Sequence, residues 1–143
     1  MDDYPNLVYL QDSIRQYGQV PLWSNAILGG YPYDANPLSS LWYPPYWASV
    51  IFPAQIGLNV LVIAHLVWGA AGMYSYLLLL NHHRFGAFMA AMAFMWMPKI
   101  FAHWGAGHVT LVWAVCWTPW LLYSMRGQFS NEKIKRTYPG IIL

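Results

Sequence analysis

Polar positions vanish from this chain in long blocks. The run from Ile56 to Leu80 contains no Asp, Glu, Lys or Arg. At about 1.5 Å of rise per residue it outreaches the roughly 30 Å hydrocarbon core of a bilayer, which predicts a transmembrane helix over 56–80. The plainer reading is a buried helix of a water-soluble domain, but such a helix seldom stays apolar on every face for so long. Two further runs of the same character, 85–101 and 109–125, predict second and third spans. Gly86, Ala87, Ala90, Ala91 and Ala93 give the second a surface for close helix packing.

Ahead of the first span the pattern changes twice. Leu7, Leu10, Ile14 and Tyr17 recur at helical spacing, with Asp12, Arg15 and Gln16 between them. This predicts an amphipathic helix over 6–19 that lies on a membrane surface or against a partner, with Gly18 as its stop and Pro21 beyond it. Residues 21–47 are crowded with Pro, Tyr and Trp and contain Gly29 and Gly30. That composition forbids a regular helix and is too aromatic for a floppy linker, so an ordered loop packed on its own rings is expected. A short apolar segment, 45–53, then skims the interface.

The predicted fold class is an all-α membrane protein. It has about three transmembrane helices and an ordered external loop with one or two short interfacial helices. The regions are 1–53 (external loop), 54–126 (transmembrane) and 127–143 (tail).

Composition agrees. The chain is 58% hydrophobic, 18% aromatic and 8% charged, far below the roughly 25% charge of soluble domains. A net charge of +2 and the lack of a basic run interleaved with aromatics argue against nucleic acid. The lone Cys116 excludes an internal disulfide and reads as a small hydrophobe. Arg84 and the tail after Met125 hold five of the seven Lys and Arg residues. The positive-inside rule therefore places 81–84 and 126–143 in the cytoplasm, and 1–53 and 102–108 outside. Residues 1–20 have no signal-peptide pattern. Either the first apolar run acts as export signal or a helix is expected upstream of Asp2.

Candidate chemistry is sparse. Asp2 and Asp3 read either as a solvated chain start or as an outer-surface carboxylate that serves as general base or holds a divalent cation. Lys99 reads as a snorkelling interfacial lysine or as a phosphate contact. His103 and His108 flank a Gly-containing turn, and two imidazoles alone make an incomplete metal site, so no metal ligands are assigned. His65, in mid-span, reads as an interhelix hydrogen-bonding group, or as a haem or pigment ligand. Asn36 and Asp34 suit turn ordering.

The linked loop motifs resemble the first external loop of polytopic GT-C-type glycosyltransferases, in particular the bacterial YfhO-like family. They are Asp2 and Asp3, then Pro21, Leu22, Trp23 and Ser24 (where the family has Asn), Gly29, Gly30 and Pro32, Asn36 and Pro37, and Tyr43, Pro44 and Pro45. His65, Leu66, Gly72, Met73 and Tyr74, and the turn from Ala102 to His108, are similar too. The resemblance covers about residues 2–125.

It implies a multi-pass protein of the bacterial cytoplasmic membrane that moves a sugar from a polyprenyl-phosphate donor to an acceptor hydroxyl at the outer face. Asp3 or Asp2 would be catalytic, and Lys99, His103, His108 and Asn36 would bind substrate. Cofactor requirements stay open, a divalent cation being compatible. Partners would be the bilayer, the lipid-linked sugar and other membrane helices or subunits. Because family members have many more spans, a non-catalytic small subunit of a larger membrane complex is the alternative. A pigment- or haem-binding subunit using His65 or His108 is the third reading.

Overall fold

The computed structural model describes residues 3–25 and 29–137, with backbone alone over 129–137. Among them the order is α1 (Asp3–Tyr17), β1 (Trp23–Ser24), β2 (Tyr31–Pro32), a 3-10 turn (Pro37–Ser39), α2 (Tyr46–Ser49), α3 (Ala54–Leu79), α4 (Arg84–Met95), α5 (Pro98–Gly105) and α6 (Val109–Thr137). The chain is mostly helical. Two helical runs, Ala54–Leu79 and Arg84–Gly105, are long and apolar enough to cross a membrane.

The expected third span differs. Its segment lies in α6, where Trp, Thr and Pro dilute the aliphatic residues, and α6 is not among the runs that meet the length and composition of a span. Pro119 sits inside α6 and removes the hydrogen bond that would end at the Val115 carbonyl, yet the helix runs on through the expected tail boundary to Thr137. The last residues of the predicted tail, 138–143, lie outside the described residues.

The second apolar run also divides. Trp96 leaves helical geometry (φ −95°, ψ 19°) and α5 restarts at Pro98; Met97, directly before the proline, is disfavoured in the α region, and proline suits a first helical position. The turn expected over 102–108 is correspondingly shorter. Gly107 takes φ +84°. The His108 amide donates to the His103 carbonyl (2.9 Å) and the Gly107 amide to that of Trp104 (2.9 Å). This is a Schellman ending. Asn81 (φ +62°) ends α3 the same way, with the His82 amide on Leu77 (3.1 Å) and the Asn81 amide on Leu78 (3.0 Å).

The chain forms two compact units. The first comprises Met1–Ala64 and Lys99–Val112, the second His65–Pro98 and Trp113–Leu143. In the first unit α1 begins at Asp3, earlier than the apolar periodicity indicates, and ends at Gly18 (φ +66°). Leu7 and Leu10 are fully buried, as its pattern requires, whereas Tyr17 is 70% exposed. The buried face instead continues through Asp3, Asn6, Gln11 and Ser13.

Those polar groups are held by the loop that follows. The Asn6 carboxamide donates to the Leu38 carbonyl (3.0 Å). Gln11 Nε2 faces the carbonyls of Ser49 (3.4 Å), Val50 (3.3 Å) and Phe52 (2.7 Å). The aromatic loop is folded by its own rings and amides: Trp42 Nε1 donates to Asp34 (3.0 Å) and Trp47 Nε1 to Leu41 (3.0 Å). β1 and β2 form a short antiparallel ladder, Trp23 with Pro32 and Ser24 with Tyr31. The pairing is a departure from the strand-free loop expected over 21–47.

The second unit is built on small residues against rings. An added Cβ at Gly69 would lie 2.8 Å from the Phe94 ring and 3.1 Å from Cys116 Cα, and one at Gly72 would lie 2.7 Å from Trp120 Nε1. That nitrogen donates to the Trp68 carbonyl (3.0 Å), and the two indoles stack with centroids 4.6 Å apart.

Candidate functional site

Asp3 is buried, 4% exposed, in the first turn of α1. The plainer expectation for it, a solvated chain start, does not hold. The positive end of the helix dipole favours a carboxylate there by about 0.3–1 kcal/mol. Asp2 lies outside the described residues.

Around Asp3 the phenols are kept neutral. Tyr33, fully buried, donates a 2.7 Å hydrogen bond to the Asn6 carbonyl. Burial raises its pKa well above the ordinary 10.0, and Tyr31 and Tyr9 add to the effect. Tyr46, also fully buried, is raised first by burial, then by Tyr33 and by Asp3 itself. Losing a proton would put a second negative charge beside the Asp3 carboxylate in a poorly solvated place.

Asp3 opens onto a cleft of ≈ 380 Å³, which Tyr4, Gln55, Leu58, Asn59, Trp104, Gly107 and Val109 line with it. Gln55, Leu58 and Asn59 stand at i, i+3 and i+4 of α3 and so share one face. The positive φ of Gly107 turns the chain between α5 and α6 at the cleft wall. The cleft thus gathers one carboxylate, two carboxamides and an indole, with no cationic side chain among the lining residues. Such a lining suits an uncharged group rich in hydroxyls, since the amides both donate and accept and the carboxylate accepts only.

The other candidates fall elsewhere. Lys99 is exposed on the first turn of α5, roughly 7.5 Å along the axis from Trp104. His103 is half-buried and His108 exposed; their rings stand 5.8 Å apart, brought together by the Schellman turn. Neither lines the cleft, although Trp104 and Gly107 from the same turn do. Asn36 is a cap: its Oδ1 accepts from the Leu38 amide (3.0 Å) and its carbonyl from Ser39 Oγ (2.8 Å). His65, in the second unit, is buried and stacks on Trp113 with ring centroids 5.5 Å apart. No group of three or more His, Cys, Asp or Glu that could hold a metal ion occurs among the described residues.

Gln55, Asn59 and Trp104 are the site residues that sequence reading missed. Gln55 and Asn59 were detectable as carboxamides one turn apart near the start of an otherwise apolar helix. No family model, no curated protein and no solved structure matches this chain.

Proposed function

We propose that this chain builds the outer-face lobe and adjoining spans of a GT-C-type membrane glycosyltransferase, which passes a sugar from a polyprenyl-phosphate donor to an acceptor hydroxyl. The observation that carries the reading is the buried Asp3 carboxylate at the wall of a cleft shared with Gln55, Asn59 and Trp104. A general base must reach the proton it takes and hold its place there. The seating of Asp3 in the first turn of α1, at the cleft wall, supports that role.

In this reading the acceptor hydroxyl and the transferred sugar occupy the cleft. Gln55 and Asn59 take the sugar's hydroxyls, and Trp104 walls its C–H face. Asp3 removes the acceptor proton as that oxygen attacks the anomeric carbon; the bond to the phosphate breaks and its electron pair leaves with the phosphate. Because the cleft lacks a cation, the donor's phosphate is assigned to Lys99, His103 and His108. Those residues belong to α5 and its closing turn, which also supply Trp104 and Gly107.

Membrane embedding belongs to the same proposal. Ile56, Val60, Ile63 and Val67 are each about half exposed along one stripe of α3. Apolar surface left open in this way costs roughly 25 cal/mol per Å² in water and nothing against lipid chains. The bilayer is the bacterial cytoplasmic membrane, with 1–53 and the α5–α6 turn outside and 81–84 inside.

The test is turnover of a radiolabelled polyprenyl-phosphate hexose by the full-length protein in lipid nanodiscs. Asp3→Asn is expected to slow transfer about 100-fold or more, the usual weight of a general base. Unchanged rates in both Asp3→Asn and Asp2→Asn would remove the carboxylate from the mechanism.

A further inference from the structure

A second cleft, of ≈ 590 Å³, runs along the opposite, solvent-facing side of α1. It falls within the roughly 300–1,000 Å³ of small-molecule sites. It shares no lining residue with the Asp3 cleft. Its walls carry the rings of Tyr9, Tyr17 and Trp23 and the polar heads of Asp12, Gln16 and Asn25, with no Lys or Arg among the lining residues.

Trp23 is fixed and still open. A Cβ at Gly30 would collide with its indole, so the ring lies directly against the Gly30 backbone, which takes φ +110°. The Tyr9 hydroxyl donates to the Trp23 carbonyl (2.9 Å), and β1 pairs Trp23 with Pro32. Even so, 54% of Trp23 stays exposed, and Tyr17 across the cleft is 70% exposed. An indole held in this way with a free surface is a platform that loses little conformational entropy when something flat settles on it.

A pyranose ring is such an object: it presents an apolar C–H face and a rim of hydroxyls that both donate and accept. Gln16 and Asn25 match both halves of that rim, and Asp12 adds an acceptor. The absence of cations from the lining disfavours acidic sugars and phosphates. We propose that this cleft is a binding subsite for a neutral oligosaccharide. That the oligosaccharide is the transferase's acceptor chain rests on the function proposed above; that it binds does not.

Saturation-transfer NMR on the full chain in lipid nanodiscs, with maltotetraose and with triacetylchitotriose as probes, separates the two claims. Transfer to the ring protons of at least one probe is expected. Trp23→Ala and the isosteric, exposed Asp12→Asn should each weaken binding about tenfold or more, while Asp3→Asn leaves it intact. No transfer from either probe, or transfer that survives both variants, would overturn the subsite. So would quenching of a dye at Trp23→Cys by spin-labelled lipid, which would make this face a membrane contact. Loss of turnover in Asp3→Asn with sugar binding retained would uphold both assignments. Binding without turnover in the native chain would uphold the subsite alone.

Discussion

The hydroxyl of Tyr33 donates to the backbone carbonyl of Asn6 across a gap of 2.7 Å, fully shielded from solvent. One bond thereby ties the aromatic loop to the turn of α1 that presents Asp3. Asn6 returns the tie through its side chain, which donates to Leu38 and accepts from Tyr31 (3.3 Å). Replacing Tyr33 by Phe keeps the ring and removes one bond from a buried carbonyl that retains its helical partner, so a loss of about 0.5–1.5 kcal/mol is expected. Denaturant unfolding followed by tryptophan emission measures it.

Alkaline pH acts on the same residues. The folded-state pKa values of Tyr33 and Tyr46 lie above their unfolded value of 10.0. Their contribution to stability is therefore complete below pH 10 and declines as pH rises above it. The decline is up to about 1.4 kcal/mol per pH unit for each phenol. Absorbance titration at the phenolate band should show these two tyrosines ionising only as the lobe unfolds, and Tyr46→Phe should flatten the fall in stability with pH.

Gln11 controls the entry to α3. Its amide nitrogen lies 2.7 Å from the Phe52 carbonyl and within 3.4 Å of those of Ser49 and Val50. Gln11→Leu should cost about 1–3 kcal/mol and leave these carbonyls to water. Thermolysin cleavage at the Val50–Ile51 bond, where Ile51 is already exposed, should quicken in the variant.

In the second unit two glycines give opposite expectations. Gly72→Ala drives a methyl into the Trp120 indole and should cost about 1–3 kcal/mol by overpacking. Gly86→Ala, in α4 with no atom within 4 Å of the new methyl, should be neutral or gain about 0.4–1 kcal/mol. Thermal unfolding of the two variants in one detergent gives the comparison.

How far the sequence foretold this molecule depends on where each partner lies. Local signals were readable: Gly18 ends α1, and α3 occupies nearly its predicted bounds. The burial of Asn6 and Gln11 was not readable, because their partners are backbone carbonyls more than thirty positions away that carry no side-chain signature. The same holds for the cleft: Gln55 and Asn59 look like ordinary polar residues near a helix start until Asp3 and Trp104 stand beside them. Pro98 falls inside the second span-length run, as its apolar neighbours indicate; the break it makes between α4 and α5 carries no hydrophobic signature.

Photolabelling tests the central claim most directly. A polyprenyl-phosphate hexose with a diazirine on the sugar, irradiated with the full-length protein in nanodiscs, should mark Gln55, Asn59 or Trp104, and Asp3→Asn should leave the marked positions unchanged while turnover falls. Label confined to residues outside that cleft, with transfer still proceeding, would contradict the account.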